Sequence, residues 1–302
     1  MLERAIVGGS SPRVVCAAIV AAVLAGCGTA PPPSKLPTAR AAVDRVHASQ
    51  DCGIGVHANA KIDYFGKGGR LRQDLLAFAV WPDRVRMDVV SPFGVTLATL
   101  TSDGNEFSLY DLREKRFFHG PATACNIARL TMVPLPPHVL VSLLRGAAPV
   151  LKHEPNDEKI EWDSGGYYVA TIKGANDTEQ RIKLAPHPAD FNLPWEKQRL
   201  RVLEVQVKQQ GVVLYRAELS DHQPAPMDKP IIDPDMIDPP VPTSGPTCNA
   251  ELPRRIRVLV PTKKEDILFR YESVTWNPPL PQGTFTQPVP PGVLVERVTC
   301  DR

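Results

Sequence analysis

The sequence predicts a mainly β protein: one highly curved antiparallel sheet, a half-barrel of about eleven strands, covered by two or three short helices with an apolar cavity between the layers. Three observations point there. Apolar residues alternate with polar ones over many short runs, the period of half-buried strands. Turn signals such as Lys67-Gly68-Gly69, Asp103-Gly104 and Gly165-Gly166 separate the runs. The 32 prolines cluster in a few segments and leave little room for long helices.

The elements follow in order. Thr38 to Gln50 carries Ala41, Ala42, Val43, Val46 and Ala48 at helical spacing, with Thr38 placed to cap. From Cys52 the period changes to two: Ile54, Val56, Ala58, Ala60, Ile62 and Tyr64 share one face, and Leu76, Phe78 and Val80 repeat the pattern in the next strand. Asp83 to Leu100 then reads as a hairpin. Val85, Met87 and Val89 alternate with Arg84, Arg86 and Asp88; Val95 and Leu97 follow the turn Ser91-Pro92-Phe93-Gly94. Serine first, proline second and glycine fourth suit a type I turn, whereas phenylalanine in third place disfavours type II. The hairpin should therefore carry a large apolar side chain at its tip.

Phe107 and Leu109 continue the meander, which ends at Arg116-Phe117-Phe118. Short helices are expected at Pro121 to Leu130 and at Pro136 to Leu144, the second opened by prolines and closed by Gly146. Strands resume at Lys159 to Asp163 and continue through Val212 to Leu219. Asp221 to Asn249 then holds eight prolines in 29 residues and reads as a surface insertion, ordered only where pinned. Further strands lie at Ile256 to Val260 and Ile267 to Tyr271. A proline-rich tail and a short edge strand at Val293 to Val298 end the chain.

Lysine and arginine total 35 against 33 acids, a formal net charge of +2. Such a balance gives no field to attract nucleic acid, and no aromatic-interleaved basic motif is present. No Gly-x-Ser-x-Gly elbow, His-Glu-x-x-His pair or phosphate-binding glycine loop occurs, so neither an enzyme nor a cofactor is expected. The seven histidines are scattered. Asp233, Asp235 and Asp238 lack the glycine and distal glutamate of a calcium loop, and no metal is expected there.

The N-terminus gives an address. Arg4 and Arg13 precede an apolar run from Val14 to Leu24, too short to span a bilayer and suited to a secretory signal over residues 1–26. The run ends in Leu24-Ala25-Gly26-Cys27, which resembles the lipobox of bacterial lipoproteins. That resemblance implies acylation of Cys27 with palmitate-type chains and anchoring in the bacterial outer membrane, facing the periplasm. Residues 27–37 read as a lipidated, proline-rich tether, and residues 38–302 as the folded domain. In an oxidising compartment Cys52, Cys125, Cys248 and Cys300 suggest disulfides, with three connectivities open and Cys248 with Cys300 favoured.

Asp83-Arg84-Val85-Arg86 leading into Ser91-Pro92-Phe93-Gly94, together with Met132-Val133-Pro134-Leu135-Pro136 and the helix after it, resembles the LolB family of outer-membrane lipoprotein receptors within the LolA/LolB lipoprotein-localisation fold. The similarity runs from about Asp51 to Pro149; the chain is longer than the family pattern and has the 221–249 insertion and extra cysteines. The resemblance implies a half-barrel with an apolar cavity that accepts lipoprotein acyl chains from a LolA-like periplasmic carrier and inserts the cargo into the outer membrane. It places Pro92, Phe93 and Gly94 in the loop that meets membrane or cargo, and makes Val85, Met87, Val89, Val95, Leu97, Phe107 and Leu109 cavity candidates. The alternative is a lipid-binding, envelope stress-sensing or structural lipoprotein on the same fold.

Overall fold

The computed structural model describes residues 28–300 apart from Met236. The signal segment 1–26 and Cys27 therefore lie outside the described residues. Among the described residues are three α-helices and fourteen strands, rather than about eleven strands: α1 (Ala39–Gln50), β1 (Gly55–Gly66), β2 (Gly69–Val80), β3 (Arg84–Val90), β4 (Thr96–Ser102), β5 (Glu106–Asp111), β6 (Arg116–Pro121), α2 (Ala124–Thr131), α3 (Pro137–Leu144), β7 (Glu158–Asp163), β8 (Tyr167–Gly174), β9 (Thr178–Pro186), β10 (Leu200–Gln209), β11 (Val212–Pro224), β12 (Glu251–Val260), β13 (Glu265–Trp276) and β14 (Leu294–Arg297). No helix among the described residues is long and apolar enough to cross a membrane.

All fourteen strands belong to one open, curved sheet in the order β14-β6-β5-β4-β3-β2-β1-β13-β12-β11-β10-β9-β8-β7. It consists of two antiparallel meanders, β1–β6 and β7–β13, joined where β1 pairs with β13 along ten residue pairs from Val56↔Trp276 to Phe65↔Asp266. The expected last edge strand is β14, and it pairs parallel with β6, Leu294 opposite Arg116.

Alternation places one apolar row after another on the face that the helices cover. One such row crosses six strands: Ala58, Ala77, Met87, Leu100, Leu109 and Phe118 are successive register partners. α3 packs on β2 and β3, α2 on β5, and α1 on β7, β8 and β10. Small residues at Ala58, Ala60, Ala77 and Ala79, all buried, make room for a helix close to the sheet, and α3 fills it with Leu140, Leu143 and Leu144.

Each helix end has a local cause. Thr38 Oγ1 accepts from Ala41 N at 3.0 Å and opens α1, as the sequence suggests. The helix expected from Pro121 starts at Ala124 instead, because β6 runs on to Pro121. α3 closes as Gly146 N donates to Leu143 O, 2.9 Å, and Ala147 N to Ser142 O, 2.8 Å. Gly146 has φ +73, and a Cβ there would sit 2.6 Å from Pro253 Cδ, so both conformation and space require glycine.

The cysteines pair as Cys52–Cys248, with Cα atoms 5.1 Å apart, and Cys125–Cys300, 6.2 Å apart. Cys248 with Cys300, favoured from the sequence, is thus replaced. The reason is topological: the insertion folds back on the start of β1, while the C-terminus runs beside β6 to reach α2.

The insertion begins later than Asp221, since β11 stays paired with β12 through Pro224↔Glu251. Its prolines do not leave it loose. Asp228 N donates to Trp276 O and Trp276 N to Pro226 O, both at 2.8 Å. Asp233 is a turn cap, its carboxylate accepting from the N–H groups of Asp235, Ile237 and Asp238 at 2.8 to 3.0 Å. Those bonds hold its pKa below the ordinary carboxylate value.

Candidate functional site: the Phe93 hairpin and its cleft

The β3–β4 connection folds as a type I turn followed by a left-handed glycine. Gly94 N donates to Ser91 O at 2.9 Å, Ser91 N to Val95 O at 2.8 Å, and Val95 N to Ser91 Oγ at 3.1 Å. Gly94 has φ +78, which closes the loop onto β4. Pro92 fixes the second turn position and leaves Phe93 at the apex. Phe93 is 93% exposed, the most exposed of the large apolar side chains described, and Val95 beside it is 59% exposed. Full exposure of a phenylalanine has no stabilising role in the fold; packing would have hidden it.

Next to the turn lies an open cleft of about 510 Å³. It exists because β2 outruns β3: pairing stops at Asp74↔Val90, leaving Gly69–Gln73 without a neighbour on that side. Ile62, Leu71, Val89 and Leu97 supply apolar lining, Ser91 and Pro92 border it, and Arg72, Arg113 and Arg270 add positive charge beside Asp63 and Asp74. Asp63 is held by Arg70, with Nε to Oδ1 at 2.8 Å, and by Arg72, with Nε to Oδ2 at 3.1 Å.

The seven cavity candidates separate into three groups. Val85, Met87, Phe107 and Leu109 are buried in the core layer against the helices. Val89 and Leu97 line the cleft. Val95 is a correction: it lies on the exposed loop, because the bulge between Val89 and Val90 shifts the register after the turn. Alternation cannot separate core from cavity, since both demand inward apolar residues.

A second cleft of about 520 Å³ opens at the other strand ends, between the last turns of α1 and α3. Arg145 lies in it, 8% exposed, donating to Gly53 O. Burial lowers its pKa to about 10, against the opposing effect of the Asp51 charge. On the outer face of the sheet, His57 stacks on Phe78 with centroids 4.3 Å apart and meets Asp228 at 2.9 Å. Thr275 Oγ1 donates to the same carboxylate at 3.0 Å. Sequence reasoning missed this cluster because Asp228 lies in the insertion; burial on the sheet raises that carboxyl's pKa, and bonds from His57, the Lys229 N–H and Thr275 together more than offset it. The cluster pins the insertion to the sheet.

The proline-rich segment also departs from expectation. It is not a free spacer but a strap. Thr29 N donates to Ser164 O at 2.8 Å, Trp162 Nε1 to Thr29 O at 2.9 Å, Trp195 N to Ser34 Oγ at 3.0 Å and Gln198 Nε2 to Ser34 O at 3.1 Å. Leu36 is buried. Ser164 lies in the β7–β8 turn and Phe93 in the β3–β4 turn. Tracing the pairings across the sheet puts these turns at opposite strand ends.

What these elements define is an open antiparallel sheet lidded by short helices, with an apolar hairpin tip beside a cleft. No model of a known protein family matches the chain, and no curated protein matches it. Among solved structures, it is similar to a LolA superfamily protein from Nitrosomonas europaea, with a TM-score of 0.49 and 11% identity over 83% of this chain and 98% of that one. It is similar as well to a DUF1329 family protein from Desulfovibrio piger, with a TM-score of 0.49 and 9% identity over 82% and 96%. The Mycobacterium tuberculosis lipoprotein LppX aligns with a TM-score of 0.28 and 10% identity over 80% and 97%.

Proposed function

We propose that this protein is a lipid-anchored component of the bacterial cell envelope that accepts lipoprotein acyl chains and inserts them into the outer membrane, without bond-making chemistry. The observation that carries the reading is the pairing of an exposed apolar tip, Phe93, with a cleft of mixed apolar and charged lining bordered by the same turn. Acyl chains cannot cross water unescorted, because each exposed CH₂ costs about 0.8 kcal/mol. A cleft shelters part of such a chain, and an apolar tip gives it a route into lipid. A LolA-like carrier would deliver the cargo, and Cys27 would hold the receptor at the membrane.

Depletion tests this. Loss of the protein should leave other lipoproteins in the periplasm or inner membrane, and normal sorting in a clean deletion contradicts the proposal. One observation favours a second reading, a lipid-binding, stress-sensing or structural envelope protein. The layer under α3 is closed, with Met87, Leu100, Leu140 and Leu143 all within 2% of full burial, so a chain has no room there and is left with the open clefts.

A further inference from the structure

The hairpin tip does not stand alone on its end of the sheet. In the order β6-β5-β4-β3-β2-β1-β13-β12, four turns succeed one another at the same strand ends: Leu112–Lys115, Ser91–Val95, Lys67–Gly68 and Pro261–Lys264. These turns carry five cations, Lys67, Arg113, Lys115, Lys263 and Lys264, all exposed. None makes an ion pair within the described residues, whereas the neighbouring Arg70, Arg72, Arg116 and Arg257 are paired. Of the acids at this end, Glu114 lies 3.4 Å from Arg116 and Asp266 is paired with Arg257, while Asp111, which accepts from the N–H groups of Arg113 and Glu114, and Glu265 have no cationic partner among the described residues. The chain as a whole is nearly neutral, so five unpaired cations flanking Phe93 and Val95 form a local asymmetry.

We propose that this end of the sheet docks on an anionic lipid bilayer, Phe93 and Val95 entering the headgroup boundary while Lys67, Arg113, Lys115, Lys263 and Lys264 meet lipid phosphates. The proposal deepens, and rests on, the insertion role given to the Phe93 turn. Charge complementarity selects the occupant: each basic side chain near an anionic surface adds attraction that salt screens. An acidic protein partner fits less well. The apolar part consists of two side chains on a projection, too little for the core of a stable protein interface, which needs about 800 Å² on each partner. A bilayer, by contrast, needs no preformed apolar pocket and presents anionic groups over its whole surface.

Vesicle flotation tests the proposal, using the chain from Gly28 onward, which contains every described residue. It should bind phosphatidylcholine vesicles containing about 30% phosphatidylglycerol at least about 10-fold more tightly than pure phosphatidylcholine, and lose that preference in about 0.5 M salt. Lys263→Glu with Lys264→Glu, and separately Arg113→Glu with Lys115→Glu, should each cut binding to the anionic vesicles at least about 5-fold with unchanged thermal melting. Phe93→Glu should weaken it too. Equal binding to both vesicle types, or indifference to the four reversals, overturns the proposal. So does failure to float together with salt-sensitive capture of an acidic protein. Acyl-chain transfer into neutral vesicles is measured in parallel: transfer without anionic preference removes this inference and leaves the insertion reading standing, and anionic binding without transfer does the reverse.

Discussion

The side-chain amide of Asn277 donates to the carbonyl oxygen of Cys52 at 2.7 Å, joining the end of β13 to the entry of β1. The same amide donates to Pro246 O at 2.7 Å, and its oxygen accepts from Ile54 N at 2.7 Å. Asn277 is fully buried with φ +54, a conformation asparagine tolerates better than most residues. One side chain thereby ties the insertion, the first strand and the last long strand together. Asn277→Ala should cost about 3 kcal/mol, since it strands several buried backbone groups and strains the left-handed position. The check is thermal or chemical denaturation; a loss under about 0.5 kcal/mol would show that water replaces the amide at no cost.

Cys52–Cys248 closes the same region covalently, over a sequence separation of 196 residues. By loop-closure entropy such a bridge stabilises by about 5 kcal/mol, mainly through the unfolded chain. Replacing both cysteines by serine should lower the denaturant midpoint strongly. Replacing Cys125 and Cys300 should act comparably, because their separation of 175 residues gives nearly the same entropy. Peptide mapping of the unreduced protein should recover these two pairs; a Cys248–Cys300 peptide would contradict the fold around the insertion.

His222 makes stability depend on pH. Burial lowers its pKa to about 4, with the charge of Arg201 acting the same way and Glu251 and Asp221 opposing. Its Nε2 is buried without a hydrogen-bond partner. The folded state therefore favours the neutral ring, while the unfolded chain protonates near pH 6.5. Stability from this residue is complete above about pH 6.5 and declines as pH falls towards 4, by at most about 3 kcal/mol. His222→Gln should flatten the stability profile between pH 6.5 and 4. An unchanged slope in that window would show that His222 does not carry the acid sensitivity; carboxylates such as Glu251, whose pKa is raised by burial but lowered more by Arg201 and the nearby histidines, act only at lower pH.

The strap has a functional consequence. While the strap stays docked, Thr29 is held at the β7–β8 turn, at the strand ends opposite Phe93. If Cys27 is anchored, as proposed, in the membrane that the tip enters, the strap must come away. Trp162→Phe keeps an aromatic ring on the core but removes the donor to Thr29 O. Amide exchange in residues 29–36 should rise about 5-fold or more, the loss of one hydrogen bond of about 1 kcal/mol, with exchange in β1–β6 unaltered. Unchanged exchange there would mean that Ser34 and Leu36 hold the strap without Trp162.

Much of the fold was legible in the residues. Val85, Met87 and Val89 announce their strand by alternation, Thr38 announces the start of α1, and Ser91-Pro92-Phe93-Gly94 announces an exposed tip because each turn position demands its residue type. What stayed hidden depends on contacts distant in sequence. The parallel pairing of Leu294 with Arg116 has no local signature. The cysteine partners follow from where the insertion folds, which composition does not reveal. Thr29–Pro37 looks like a spacer until Trp162 and Gln198 are seen to hold it. The cleft arises from β2 being longer than β3, a difference in length that leaves no mark on hydrophobic periodicity.

The most direct measurement is delivery of a labelled lipoprotein from its soluble carrier complex into outer-membrane vesicles by the wild-type protein and by Phe93→Glu. Phe93 touches little, so the variant should melt as the wild type does and still take up cargo. The account predicts that it retains the cargo and transfers at least about 10-fold less into the membrane, since a charged side chain cannot enter the apolar boundary. Transfer at the wild-type rate by a correctly folded Phe93→Glu protein would contradict it.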